Sequence, residues 1–102
     1  MTRYTTEKIA VASEMLKVLG DNGRLQILVF IKDKEYSVQE ICGFMKMEQS
    51  AVSHQLRILK EARLVKVRQS GRQRLYSLDD GHVLQILETV FEHLEEEDYD
   101  RA

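Results

Sequence analysis

Two histidines and two carboxylates near the end of the chain have the types and spacing of metal ligands. Asp80 and His82 form a D-x-H pair, and His93 and Glu96 form an H-x-x-E pair. On a helix with about 100° per residue, His93 lies about 20° from His82 around the axis, and Glu96 about 40° to the other side. Imidazole nitrogens and carboxylate oxygens suit a tetrahedral Zn(II) or Co(II) ion. The four residues are therefore candidate metal ligands.

The two pairs are too far apart to bind one ion within a single helix. At about 1.5 Å per residue, His82 and His93 are separated by roughly 16 Å along the axis, whereas ligand bonds are near 2 Å. An antiparallel copy of the helix brings the D-x-H pair of one chain to the H-x-x-E pair of the other. Two-fold symmetry then predicts two equivalent four-ligand sites in a homodimer. Taken alone, either pair more often consists of ordinary surface residues.

The same helix, predicted to run from the caps Asp79 and Asp80 to about Glu96, carries a long apolar stripe. The stripe consists of Val83, Leu87, Val90, Phe91 and Leu94. So much apolar surface on a terminal helix of a small domain predicts packing against its symmetry mate.

A second group of side chains is suited to contact with nucleic acid. They lie beside the apolar face of an amphipathic helix predicted over residues 49–63, and they are Ser53, His54, Gln55 and Arg57. The apolar face itself is formed by Val52, Leu56, Leu59 and Ala62, which recur at helical spacing. Glutamine and serine can read base edges, whereas arginine is better suited to phosphates.

A β-hairpin is predicted directly after this helix. A β-branched run from Leu64 to Arg68 is followed by a turn containing Gly71 and by a return strand over residues 73–77. Arg68, Arg72 and Arg74 lie near its tip. A polar-faced helix followed by a basic hairpin is typical of a winged helix-turn-helix, in which the helix enters a major groove and the wing contacts phosphates or the minor groove.

The rest of the chain predicts the elements that position these groups. A helix is predicted over residues 5–19, followed by a break at 20–23. A nearly all-apolar central helix follows over 24–32, capped by Asp21 or Asn22. After an exposed link over 33–36, the capping box Ser37-x-x-Glu40 opens a short helix that runs to about Met45. The short helix and the helix at 49–63 form the helix-turn-helix pair. The predicted fold is mainly α (α+β): one domain over 1–102, with about five helices, a two-stranded wing and N- and C-terminal dimerisation helices.

Charge is distributed unevenly along the chain. The net charge is −2, but residues 24–78 have a balance of +6 and residues 79–102 a balance of −8. A basic middle is suited to phosphates, and we interpret the acidic end at 97–102 as a solvated tail. One cysteine, no membrane-length apolar run and no secretory signal predict a cytoplasmic protein.

These residues also carry a family resemblance. The stretch SAVSHQLRILKEARLVKVRQSGRQRLYSL at residues 50–78, with GDNGRLQIL at 20–28, resembles the ArsR/SmtB family of metal-responsive repressors. The resemblance extends from about Leu16 to Glu96. It implies a homodimer that binds an inverted-repeat operator in double-stranded DNA, that is released by Zn(II) or Co(II), and that controls metal efflux or resistance genes.

The resemblance also implies roles for individual residues. The implied DNA-binding residues are Gln49, Ser50, Ser53, His54, Arg57, Arg72, Gln73 and Arg74. Asp80, His82, His93 and Glu96 match the C-terminal-helix metal site of the family's zinc sensors. In those sensors a metal-bound imidazole donates its second N–H to a carbonyl near the end of the recognition helix, which here links His93 to the neighbourhood of Arg63.

Departures from the family pattern narrow the choice of metal. The C-x-C pair of its arsenic, cadmium and lead sensors is replaced by Ser37-Val38-Gln39, and residues 1–4 offer no histidine. Thiophilic and six-coordinate metals are therefore disfavoured. Cys42, between apolar neighbours, is interpreted as a small core residue.

Three alternatives remain open from the sequence. A repressor of the same fold could respond to a redox or organic signal, although a lone cysteine gives little support for this. A zinc hydrolase would need an open coordination position and a cleft. A dimeric adaptor without DNA binding would leave the wing arginines without a function.

Overall fold

The computed structural model describes residues 3–96, and four of the five helices in that range begin at side chains that cap them. Asp21 accepts a hydrogen bond from the Arg24 backbone N–H at 3.1 Å, and Asp80 accepts one from the His82 N–H at 2.9 Å. Both bonds of the predicted capping box between Ser37 and Glu40 are present, at 3.2 and 2.8 Å. Each bond satisfies a backbone N–H that the helix itself leaves free.

The described residues form five helices and three strands. In chain order these are α1 (Thr6–Leu19), α2 (Asn22–Phe30), β1 (Tyr36–Ser37), α3 (Val38–Met45), α4 (Gln49–Glu61), β2 (Val65–Ser70), β3 (Gln73–Leu78) and α5 (Gly81–Leu94). The α3–α4 pair followed by the β2–β3 hairpin is the predicted winged helix-turn-helix. The acidic tail at 97–102 lies outside the described residues.

The sheet has one strand more than the sequence predicts. Its order is β1-β3-β2 and all pairs are antiparallel. In β1, Tyr36 pairs with Tyr76 and Ser37 with Leu75. A two-residue strand is too short to show an alternating pattern, which is why its sequence indicates only an exposed link. The extra strand joins the wing to the start of α3.

The core lies where α2, α4 and the base of the wing meet. Ile27, Leu28 and Ile31 are fully buried, so the segment from α2 to its C-cap is the buried centre that its composition predicts. The inward face of α4 is also buried completely, at Val52, Leu56 and Leu59. This packing places the opposite, polar face of α4 at the surface.

The apolar stripe of α5 is divided between the protomer's core and its surface. Val83 and Leu87 are buried in the protomer's own core, whereas Val90, Phe91 and Leu94 are 45%, 41% and 37% exposed. The prediction that the whole stripe faces a symmetry mate is therefore wrong for its first half. The helix needs its N-terminal half to anchor it to the domain, and only the second half is left free.

Helix α1 also presents apolar side chains at the surface. Ile9, Val11 and Leu16 are 55–63% exposed, while Val18 and Leu19 at its end reach the core. No helix in residues 3–96 combines the length and apolar character that crossing a membrane requires.

The turn between α3 and α4 depends on a strained residue. Lys46 ends α3 in the left-handed conformation, with φ 56°, and its N–H donates to the Cys42 carbonyl at 2.7 Å. A side chain in this conformation costs about 1 kcal/mol or more, which glycine avoids. We expect Lys46→Gly to raise the free energy of unfolding by about 1 kcal/mol in urea titrations. Lys46→Ala keeps the Cβ and should give no such gain; an equal gain in both variants would contradict the strain argument.

Candidate DNA-binding groove and metal-ligand pairs

A groove of about 670 Å³ lies between the start of α3, the outer face of α4 and the wing. Its lining is Ser37, Val38, Gln39, Gln49, Ser53, Arg57, Lys60, Arg72, Gln73, Arg74 and Tyr76. Six of the eight predicted DNA-binding residues are in this group. Four of the lining residues are cations, and none of those lining it within the described chain is acidic. The groove is therefore a surface of positive potential suited to a phosphate backbone.

The wing residues reach the groove because the hairpin turns tightly. Ser70 and Gln73 form the last pair of the ladder, which leaves Gly71 and Arg72 as a two-residue loop. Gly71 has φ +61°, and glycine at the first loop position matches the right-handed twist of the strands. The Gln69 side chain donates to the Gly71 carbonyl at 2.9 Å, which holds the tip that presents Arg72.

Ser50 and His54 lie on α4 outside the groove lining, and both are exposed. His54 Nδ1 is 3.1 Å from Nη2 of Arg57. Because a guanidinium only donates, Nδ1 accepts this bond, and in the neutral ring the proton is on Nε2. The Nε2–H of His54 is therefore available as a hydrogen-bond donor at the protein surface, while the bond to Nδ1 holds Arg57 in place.

The groove contains residues that sequence reasoning missed. Lys60 lies seven residues after Ser53 and three after Arg57, so helical periodicity alone could have found it. Ser37 and Gln39 come from the start of α3, and no local pattern indicates that they approach the wing. Their position follows from packing of α3 on α4 and from the β1–β3 pairing.

Arg68 is not free to contact DNA in this structure, which corrects its grouping with Arg72 and Arg74. Its Nε and Nη2 donate to the two Glu35 carboxylate oxygens at 2.6 and 2.8 Å. The hydrogen bond from Arg68 holds the pKa of the Glu35 carboxyl below its usual value, so the pair stays ionised at neutral pH. The sequence could not show this ion pair because Arg68 and Glu35 are far apart in the chain.

We therefore expect Arg68→Gln to leave the salt dependence of DNA binding nearly unchanged. Arg72→Gln should instead lower the slope of log affinity against log salt by about 1 for each phosphate that the variant no longer neutralises. Fluorescence anisotropy of labelled DNA at several salt concentrations measures both slopes. Equal decreases of the slope in the two variants would show that Arg68 leaves Glu35 and contacts the DNA backbone.

The candidate metal ligands form two separate pairs at opposite ends of α5. His82 Nδ1 is 3.3 Å from an Asp80 oxygen, and His93 Nδ1 is 3.3 Å from a Glu96 oxygen. All four side chains are at least half exposed. The pKa of Asp80 is lowered, chiefly by its hydrogen bond with the His82 side chain, so this carboxylate is in the form that binds metal.

These separations fit the chemistry of the predicted ion. The 3.3 Å separation in each pair is that of an ordinary His–carboxylate contact, and it is also compatible with two donors at about 2.0 Å from a tetrahedral zinc, which lie about 3.3 Å apart. Within residues 3–96 no three His, Cys, Asp or Glu side chains of one protomer come together as a metal site. Within the described residues, each pair alone therefore falls short of the four ligands of a tetrahedral site.

The exposed side of α5 between the pairs is concave. A depression of about 450 Å³ is lined by His82, Gln85, Ile86, Thr89 and Val90. Since His82, Ile86, Thr89 and His93 recur at intervals of four, three and four residues, the histidines lie at the two ends of one helical seam. Cys42 is a partly buried free thiol packed against the core.

Known proteins share both the sequence and the fold. The family model for bacterial regulatory proteins of the arsR family matches residues 21–67. A transcriptional repressor SmtB homolog from Synechocystis is 43% identical over 86 residues, which are 84% of this chain and 65% of that protein. The regulator NmtR of Mycobacterium tuberculosis is 38% identical over 88% of this chain and 75% of its own length.

A solved structure agrees at the level of the fold. The homodimeric winged helix-turn-helix DNA-binding domain of a possible ArsR-family regulator from Mycobacterium bovis superposes with a TM-score of 0.82. It is 26% identical, and the match covers 92% of this chain and 90% of that one. The relatives are transcriptional regulators, not enzymes, which removes the zinc hydrolase from the alternatives.

Proposed function

The chain belongs to the ArsR family of bacterial regulatory proteins, and from this we propose that it is a homodimeric repressor released from operator DNA by Zn(II) or Co(II). The observation that carries the proposal is the pair of His–carboxylate groups, each with its donors 3.3 Å apart, at the two ends of the exposed seam of α5.

In the DNA complex, α4 enters a major groove and the wing follows the backbone. Gln49, Ser50, Ser53 and His54 contact base edges, while Arg57, Arg72 and Arg74 contact phosphates, with Gln73 beside them on the wing. Lys60 joins the phosphate contacts because it lines the same groove. A two-fold dimer places its two recognition helices in successive major grooves, roughly 34 Å apart, and so selects an inverted repeat.

The dimer forms through the apolar surfaces that the protomer leaves exposed. Val90, Phe91 and Leu94 of α5 and Ile9 and Leu16 of α1 are each more than a third exposed. An antiparallel α5 pair with its two-fold axis between residues 87 and 88 puts Ile86 opposite Thr89 and His82 opposite His93. The same arrangement that buries the seam therefore brings the ligand pairs together.

Asp80 and His82 of one protomer with His93 and Glu96 of the other would hold each metal ion, which would give two equivalent sites of two nitrogen and two oxygen donors. A metal held by these residues would link the start of one α5 to the end of the partner's α5. Neutral imidazole is required for binding, so the affinity for metal falls as the histidines become protonated. The absence of a thiolate beside these ligands favours Zn(II) or Co(II) over thiophilic metals.

Release follows if the metal binds more tightly to a dimer shape that does not match the operator. The coupling is then a free-energy difference between two states, and DNA must weaken metal binding as much as metal weakens DNA binding. The second ring nitrogen of His93 provides the connection by donating to a carbonyl near Arg63. Arg63 lies two residues after the end of α4 and has the left-handed φ of 64°.

The test is fluorescence anisotropy of the dimer on DNA from upstream of its own gene, titrated with Zn(II) and then with a chelator. Loss of binding on zinc and recovery on chelation is the expected result. Tight binding that ignores Zn(II), Co(II) and Ni(II) would leave a repressor with a redox or organic trigger and would disprove the ligand assignment. Absence of DNA binding would favour the adaptor alternative.

A further inference from the structure

Arg24 joins three helices through a single guanidinium. Its Nε donates to the Val18 carbonyl near the end of α1 at 2.9 Å, and its Nη1 donates to the Gln55 side-chain oxygen on α4 at 3.2 Å. Its own backbone N–H is bound by Asp21, which caps α2. Arg24 is partly buried, as is Gln55. Gln55 thus turns inward, and unlike Ser53 and Arg57 it does not line the groove, so its grouping with the side chains suited to nucleic-acid contact is wrong.

This connection is distinctive among the polar contacts of the described chain. Within residues 3–96, Arg24 makes the side-chain hydrogen bonds that link α2 to α1 and to α4. The other contacts among these three helices are apolar packing. Apolar packing is not directional and lets helices slide or rotate slightly. A planar guanidinium offers N–H groups in a fixed geometry, which lysine cannot reproduce.

We infer that Arg24 is a positioning residue that fixes the angle between the dimerising helix α1 and the recognition helix α4. Since α1 carries part of the exposed apolar surface that pairs the protomers, this angle sets the separation of the two recognition helices. The inference rests on the proposed dimeric DNA binding, because it assigns to Arg24 the choice of half-site spacing. Arg24 is partly buried and is not among the residues that line the groove.

The first test needs no DNA. Nitroxide labels on Glu14→Cys in α1 and Glu61→Cys in α4, in a Cys42→Ser background and diluted with unlabelled protein, report the distance between the two helices within one protomer. Arg24→Lys and Gln55→Leu should each broaden or shift this distance distribution relative to the parent. Gln26→Ala is the matched control, because Gln26 bonds only to Asn22 within α2; it should leave the distribution unchanged.

The second test measures how DNA affinity depends on the spacing between the two half-sites. Duplexes with one half-site, and full operators with base pairs added or removed between the half-sites, are titrated with each variant. Arg24→Lys and Gln55→Leu should bind a single half-site like the parent but lose about tenfold on the best full operator, because the two half-sites no longer reinforce each other. They should also discriminate less between spacings.

The outcomes separate the positioning role from general stability and from the proposed function. Equal losses on half-sites and full operators, or an unchanged distance distribution in both variants, would overturn the inference. If the variants change the distance distribution but the parent protein binds no operator, the role of Arg24 in setting the helix angle would be supported. The repressor proposal would then be overturned instead. Arg24→Lys guards against misfolding, since it keeps both the charge and most of the side chain.

Discussion

Replacing Arg57, Arg72 and Arg74 together by glutamine is expected to reduce operator affinity at least 100-fold at about 0.15 M salt. The three guanidiniums line one groove, and a dimer presents that groove twice. If all six contact phosphates, the slope of log affinity against log salt should fall by about 5. Anisotropy titrations at four or more salt concentrations measure the affinity and the slope together.

The matched control removes the same charge from another surface. Lys32, Lys34 and Lys66 are exposed and line a separate, shallower depression. Replacing them by glutamine should change the affinity far less, because long-range attraction between exposed charges is largely screened at this salt concentration. A similar loss in both triple variants would mean that net charge, not the groove, drives binding.

The second large effect is expected for His93→Asn. This change removes one ligand from each of the two proposed sites and should weaken zinc binding by at least 100-fold, since even outer partners of zinc ligands are worth about 10- to 100-fold. His93 is exposed and is not among the residues that line the groove, so affinity for the operator without metal should stay within about twofold. Zinc should then no longer release the DNA.

Glu92→Gln is the control for this variant. Glu92 precedes His93, is exposed, and carries a carboxylate that the proposed site does not use. Zinc should release this variant from DNA as it releases the parent. Retained zinc release in His93→Asn, or its loss in Glu92→Gln, would contradict the ligand assignment.

Features that depend on local chemistry could be predicted well from the sequence. The caps of α2, α3 and α5 follow from Asp21, Ser37 and Asp80, whose side chains bond to backbone N–H groups within a few residues. The polar face of α4 and the hairpin turn at Gly71 are also local. These features are enough to predict the winged helix-turn-helix without any tertiary contact.

Features that depend on contacts between distant segments could not be predicted in this way. Sequence patterning groups Arg68 with the wing tip because its charge is visible in the sequence and its pairing with Glu35 is not. It also assigns the whole stripe of α5 to a dimer, since periodicity identifies an apolar face but not what covers it. The positions of Gln39 and Gln55 become evident only when α3 and α2 are seen beside α4.

A metal site shared between two protomers can be tested by mixing two variants that are each inactive alone. In His82→Ala and in His93→Ala homodimers every proposed site lacks one histidine. After mixing and exchange of subunits, half of the dimers should be mixed, each with one complete site, so tight zinc binding should return to about one quarter of the parent capacity. Titration against a chromophoric zinc chelator counts these sites. Recovery would confirm that each site is built from two protomers, whereas a mixture that binds no more tightly than the separate variants would contradict it.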